Sequence, residues 1–206
     1  MKLRGLYAIT PELEDGDLLL RRVAQALEGG IAILQYRNKG RQTLDEARSL
    51  AAMCRRSGVP FIVNDNIEIA LASTADGVHL GRDDGNLAAA RAMLKGKILG
   101  VSCYDSLATA RMAVAAGADY VAFGSVFPSP TKPQAVRAPL SLFREARALG
   151  VPLVAIGGIT AGNAPQLIAA GADCIAVISD LFGAPDVRAR AAAFARLFAT
   201  YPALSP

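Results

Sequence analysis

Short apolar runs recur along the chain at a regular pitch. They are Gly5–Thr10, Ile31–Arg37, Phe61–Asn64, Gly77–Leu80, Ile98–Ser102, Tyr120–Gly124, Leu153–Gly157 and Cys174–Ser179. Each is four to seven residues long and rich in Val, Ile and Leu. Runs of this length read as strands buried on both faces, which is the signature of a parallel sheet. Helical patterns lie between them. Thr43 and Glu46 have the spacing of a capping box, and Leu44, Ala47, Leu50, Ala51 and Cys54 then share one helical face. Gly58 is placed to end that helix in a left-handed cap. Ser106 to Ala116, followed by Gly117, repeats the plan, as does Asn163 to Ala170, followed by Gly171.

A local phrase also recurs. STADGVHLG from Ser73, AGADYVAFG from Ala116 and AGADCIAVIS from Ala170 each end a helix, place one Asp and begin a strand. EGGIAILQYR from Glu28 is a weaker copy without the Asp. Repeated helix-to-strand junctions imply a repeated unit, here of about 24 residues from Gly5 to Cys174. Eight such units predict a compact (β/α)8 barrel. The rival is an open doubly wound sheet, but no GxGxxG follows the first strand. No linker or shift of composition divides residues 1–206, so one domain is expected, with a frayed tail over 200–206 where TYPALSP carries two prolines.

Composition narrows the partners. Hydrophobic residues make up 52% of the 206 and charged ones 19%, which excludes a disordered chain. Trp is absent and aromatics are 6%, so there is no platform for stacking nucleic-acid bases. The net charge of +4 comes from scattered Lys and Arg; it suits a cleft for a phosphorylated small molecule as well as it suits nucleic acid, and plain solubility is the third reading. No apolar stretch is long enough to span a membrane and the first residues lack a signal-peptide pattern, so a cytoplasmic location is expected. Cys54, Cys103 and Cys174 are odd in number and widely spaced, against a disulfide framework or a zinc site.

In a barrel the chemistry gathers where strands end and the following loops begin. Polar residues cluster there in this sequence. Gln35, Arg37 and Lys39 alternate at the end of strand two, a spacing that would aim an amide, a guanidinium and an ammonium together as an anion clamp. Asn64 and Asp65 follow strand three, and Asp83 and Asp84 follow strand four. Asp65 and Asp84 could share a Mg²⁺ ion with substrate phosphates; the plain alternative for each Asp is a helix cap. Ser102 ends strand five, where a simple turn residue is as good a reading. The loop after strand six, GSVFPSPTKPQAVRAP, carries Ser129, Thr131 and Lys132 and has the length of a lid. Gly157 and Gly158 end strand seven, allowing backbone to approach a ligand, and Ile178 and Ser179 open a short helix after strand eight. These last two loops commonly bind phosphate in barrels. The sole histidine, His79, has no triad partner and reads as a hydrogen-bonded residue lining the barrel.

The phrases LYAIT, LQYRNKG, FIVNDNIEIAL, DGVHLG, GVSCY, GADYVAFGSVFPSPTK, VPLVAIGGIT and AGADCIAVIS, in this order from about Gly5 to Phe182, together resemble the thiamine phosphate synthase family. The resemblance implies a transferase that joins hydroxymethylpyrimidine diphosphate to hydroxyethylthiazole phosphate, with Mg²⁺, through a dissociative substitution that releases pyrophosphate. It implies that Gln35, Arg37, Lys39 and Asn64 hold the pyrimidine diphosphate, with Ser102 and Lys132 as further contacts. Of these, Arg37, Lys39, Lys132 and Ser102 would stabilise the departing group. It implies Asp65 and Asp84 as Mg²⁺ ligands, and Ser129, Thr131, Gly158, Ile178 and Ser179 as the thiazole phosphate site.

The chain departs from the family pattern at Arg82, where Gln is usual, and at Ser129, where Thr is common. A related thiazole tautomerase carries His where this chain has Ser125 and lacks the Thr-Lys pair, so Ser125, Thr131 and Lys132 favour the synthase. A tautomerase-like isomerase and a non-catalytic barrel that binds thiamine phosphate remain the alternatives. The expected partners are small phosphorylated substrates rather than nucleic acid or membrane, and the sequence leaves homo-oligomerisation open.

Overall fold

The alternation of side chains along a strand explains how such apolar segments can be buried on two sides at once. In the computed structural model, which describes residues 3–81, 86–128 and 137–201, they do so by closing into a barrel. The strands are β1 (Gly5–Ile9), β2 (Ile33–Tyr36), β3 (Phe61–Asn64), β4 (Gly77–Leu80), β5 (Ile98–Tyr104), β6 (Tyr120–Phe123), β7 (Leu153–Ile156) and β8 (Cys174–Val177). Each pairs in parallel with the next, and β8 returns to β1 through Gly5–Cys174 and Tyr7–Ala176. The open-sheet alternative is thereby excluded.

Alternation splits the core in two. Tyr7, Ile9, Ile33, Ile62, Tyr120, Val154 and Cys174 pack together inside the barrel. Leu6, Leu34, Phe61, Val63, Leu80, Phe123 and Ile175, from the opposite faces, pack outward against the helices. Gly100 is required by this packing: a Cβ there would lie 2.0 Å from the ring of Tyr120.

The helices in chain order are α1 (Gly16–Glu28), α2 (Leu44–Ser57), α3 (Ile67–Ala72), α4 (Leu87–Met93), α5 (Leu107–Ala115), α6 (Ser141–Ala146), α7 (Ala164–Ala170), α8 (Ser179–Phe182) and α9 (Val187–Thr200). Gly58 ends α2 and Gly171 ends α7, both left-handed as their positions predict. The capping box of α2 forms only by half. Thr43 accepts the Glu46 N–H, but the Glu46 carboxylate accepts the Tyr36 hydroxyl, and that hydroxyl in turn accepts the Thr43 N–H at 3.1 Å. A strand residue thus stands in the middle of the reciprocal cap, tying α2 to the end of β2.

The recurring Asp has a single structural purpose. The Asp76 carboxylate accepts the N–H of Phe61, that of Asp119 accepts Leu99 and that of Asp173 accepts Leu153, at 2.8–2.9 Å. In each case the Asp N–H also bonds back to the carbonyl of the same partner. Every copy therefore locks the start of one strand to the start of the previous one. In the weaker copy Ala32 keeps only the backbone half, donating to Leu6.

The chain end is held further than its composition suggests. Thr200 is the last residue of α9, and Arg4 donates to the carbonyls of Phe198 and Tyr201 while its guanidinium lies 5.1 Å from the Phe198 ring centre. Residues 202–206 lie outside the described ones.

Candidate active site

The carboxyl ends of β2 to β5 turn four polar side chains toward the barrel axis: Gln35, Asn64, His79 and Ser102. Burying them requires partners. A continuous chain supplies these for three of them. Gln35 Nε2 donates to the Tyr7 hydroxyl at 2.8 Å, Tyr7 and Tyr120 hydroxyls meet at 2.7 Å, and Tyr120 meets His79 Nδ1 at 2.9 Å. His79 Nε2 then meets Ser102 Oγ at 2.8 Å. The His79 and Tyr120 rings are nearly parallel, with centres 5.6 Å apart. Burial raises the Tyr7 and Tyr120 phenols well above their ordinary range, so both keep their protons. His79 is thus a hydrogen-bonded barrel residue. Ser102 is more than a turn residue, because β5 runs on to Tyr104 with a bulge between Ser102 and Tyr104 that sets the aim of the strand end.

The clamp on strand two is built differently from its spacing. Period-two placement needs a strand, and β2 ends at Tyr36. Gln35 points inside to Tyr7. Arg37 is held by Thr10, whose hydroxyl accepts the Arg37 N–H and donates to the Arg37 carbonyl, and its guanidinium pairs with Glu12 at 2.6 Å. Lys39 lines a cleft of about 580 Å³ with Gln42, Asn64, Asp65 and Asn66. Gln42 joins the two loops, donating to the carbonyls of Tyr36 and Asn64. The three side chains therefore meet different neighbours, and it is Lys39, Asn64 and Asp65 that share one opening.

Asp65 is not a helix cap. Asn66 caps α3 by accepting the Ile69 N–H, and Asn86 caps α4. Asp65 instead takes a left-handed backbone, φ 62°, and its carboxylate accepts the Asn64 amide at 2.6 Å. Strain of this kind in a non-glycine residue collects at functional sites. A hard carboxylate oxygen on an open polar cleft fits Mg²⁺, which takes one or two carboxylates plus substrate phosphates. Among the described residues no three His, Cys, Asp or Glu converge as a larger metal cage.

On the other side of the mouth, Gly157 and Gly158 have φ of 106° and 63°. The close approach there is made by the chain itself: a Cβ on Gly158 would lie 2.4 Å from the Pro128 carbonyl, and one on Gly157 would meet Ser125. Val126 and Phe127 donate to the carbonyls of Ile156 and Gly157, and Ala138 donates to Ser125, which seats the base of the strand-six loop against β7. Ile178 precedes α8, whose first residue is Ser179. Asp180 accepts the Ala161 N–H at 3.2 Å and pairs with Arg190, tying the loops after β7 and β8 together. Arg82, Asp83, Asp84, Ser129, Thr131 and Lys132 lie outside the described residues.

Sequence reasoning missed Tyr7, Tyr120, Thr10, Glu12 and Gln42. An aromatic inside an apolar run reads as core, and only closure of the barrel brings the hydroxyls of Tyr7 and Tyr120 together. A cheap signal did exist: His79 needed buried partners.

Known proteins share this fold and sequence. A family model described as thiamine monophosphate synthase matches residues 6–181. A thiamine-phosphate synthase of Aromatoleum aromaticum is 61% identical over 202 residues, 96% of this chain and 97% of that one. That of an Azoarcus species is 57% identical, covering 96% and 98%. The solved thiamine phosphate pyrophosphorylase of Pyrococcus furiosus superimposes with a TM-score of 0.87 at 36% identity, covering 97% of both chains. Fold and relatives converge on one assignment, and the chain belongs to the thiamine monophosphate synthase family.

Proposed function

We propose that the barrel mouth joins 4-amino-5-hydroxymethyl-2-methylpyrimidine diphosphate to 4-methyl-5-(2-hydroxyethyl)thiazole phosphate, giving thiamine phosphate and pyrophosphate. The observation that carries this reading is the convergence of Lys39, Asn64 and Asp65 on one cleft, with Arg37 on the adjoining strand end. Cationic and amide donors there suit a diphosphate. Gln35, at one end of the buried chain, would face the pyrimidine side of that substrate, and Ser102, at the other end, would donate to its diphosphate. Gly158, Ile178 and Ser179 would receive the thiazole phosphate across the mouth, with Ser129 and Thr131 from the strand-six loop.

The substitution is dissociative in this reading. The bond between the pyrimidine methylene carbon and the diphosphate oxygen breaks, and its electron pair leaves on oxygen. The thiazole nitrogen lone pair then forms the new carbon–nitrogen bond. Arg37, Lys39 and Lys132 favour the charge growing on the departing oxygens, and holding both substrates in one mouth replaces an encounter in solution. Mg²⁺, held by Asp65 and Asp84, would add charge stabilisation at the diphosphate. The enzyme would work in the cytoplasm; no described helix is long and apolar enough to cross a membrane.

The test is pyrophosphate release measured with each precursor alone and with both. Release that yields thiamine phosphate in step with pyrophosphate supports the coupling. Conversion of the thiazole alone, without pyrophosphate, replaces it with an isomerase. Binding without turnover replaces it with a carrier.

A further inference from the structure

The chain from Gln35 to Ser102 has a direction, set by counting protons. Each tyrosine hydroxyl has one proton to give. Gln35 Nε2 donates to Tyr7, so the Tyr7 proton is left for Tyr120. With the Gln35 amide in this orientation, the Tyr120 proton is left for His79 Nδ1, which accepts it as the bare ring nitrogen. The remaining ring proton lies on Nε2 and points at Ser102 Oγ. The reverse order would require the Gln35 amide to turn and offer its Oε1 to the Tyr7 hydroxyl.

We infer that His79 is a positioning residue: Tyr120 fixes it as the Nε2–H tautomer, its Nε2–H donates to Ser102 Oγ, and the Ser102 hydroxyl proton is thereby turned away from His79 as a donor for the barrel mouth. The inference concerns the same site and takes from the proposed function the diphosphate oxygen as the acceptor of that proton. The Tyr120 hydroxyl bonds to Tyr7 and His79 and, among the described residues, not to Ser102 or the cleft residues, so it acts through the imidazole. The stacked His79 and Tyr120 rings, and the edge contact between Tyr7 and Tyr120 with centres 5.9 Å apart, hold the hydroxyls in register. Without the Tyr120 hydroxyl the imidazole is free to change tautomer, Nε2 becomes an acceptor, and Ser102 spends its proton on the protein.

The sole histidine makes the test direct. Nitrogen NMR of ¹⁵N-histidine-labelled protein, without substrate, reads the tautomer whether or not the enzyme couples anything. The Nε2–H form in the wild type, giving way to a mixture or to the Nδ1–H form in Tyr120→Phe, is the expected result. An Nδ1–H wild type, or a tautomer indifferent to Tyr120→Phe, overturns the inference. In single-turnover coupling, Tyr120→Phe should slow the chemical step about tenfold, the worth of one hydrogen bond. The affinity for thiazole phosphate should stay unchanged. Tyr120→Phe combined with Ser102→Ala should be no slower than Ser102→Ala alone, because both remove the same contact. Additive losses would show that Tyr120 acts by some other route. Absence of coupling in the wild type would refute the proposed function while leaving the tautomer assignment standing on its own readout.

Discussion

Asp65 and Arg37 show what single residues disclose before and after folding. Both follow apolar runs, so both stand out in the sequence as groups unsuited to a strand interior. Their alternative duties were not separable there. A carboxylate two positions before a helix reads as a cap, and the structure gives that duty to Asn66. Asp65→Asn should therefore raise the Mg²⁺ concentration needed for half-maximal rate at least tenfold while moving the melting temperature little; a large fall in melting temperature with an unchanged Mg²⁺ requirement would return Asp65 to a structural role. Arg37 spends one nitrogen on Glu12 and keeps the rest of its fork. Arg37→Ala removes a charge-assisted bond to the diphosphate, a loss of about 1.5–3 kcal/mol or about ten- to a hundredfold in rate or affinity. Pyrophosphate affinity measured by calorimetry checks this, and an unchanged value would remove Arg37 from the site. Tyr7 and Tyr120 were illegible as site residues because their rings are apolar and their hydroxyls meet only across a closed barrel.

Elements were legible where local rules govern them. β3 and β4 run as their apolar stretches do, and the helix ends at Gly58 and Gly171 follow from glycine's freedom at positive φ. Where a tertiary contact intervenes, the local rule bends. The Tyr36 hydroxyl enters the α2 capping box, and β2 ends at Tyr36, so strand alternation does not set the aim of Lys39. The repeated Asp was visible as a pattern but not as a mechanism, since its partner is the first N–H of another strand about 20 residues earlier. Asp173 is the most informative copy: it also holds Arg147 through both carboxylate oxygens. Asp173→Ala strands a buried strand N–H and should cost about 1–3 kcal/mol in chemical denaturation. Because it sits at the barrel end opposite the site, the rate at low temperature should be unchanged. A loss of rate without a loss of stability would contradict the clamp.

At the scale of the molecule, eight regular apolar runs without a linker left little besides a barrel, and the ordered phrases left one family. What the sequence could not show is how much of the interior is polar yet protonated. Burial pushes the Cys54, Cys103 and Cys174 thiols up to about 12, and Tyr7 and Tyr120 are raised as well. The unfolded chain gives up these thiol protons from about pH 8.5 and the phenol protons from about pH 10, while the folded chain keeps them. Their contribution to stability is thus whole below about pH 8.5 and is lost as pH rises toward the folded values. Denaturation midpoints measured from pH 8 to 11 should fall steadily, and a flat profile would contradict the protonated interior. The central claim is tested most directly by thiamine phosphate formation from both precursors with Mg²⁺, read as fluorescent thiochrome after oxidation, beside a matched sample with excess EDTA. Product should disappear with EDTA and return when Mg²⁺ is restored; folded protein that makes no product with Mg²⁺ present would rule the coupling out.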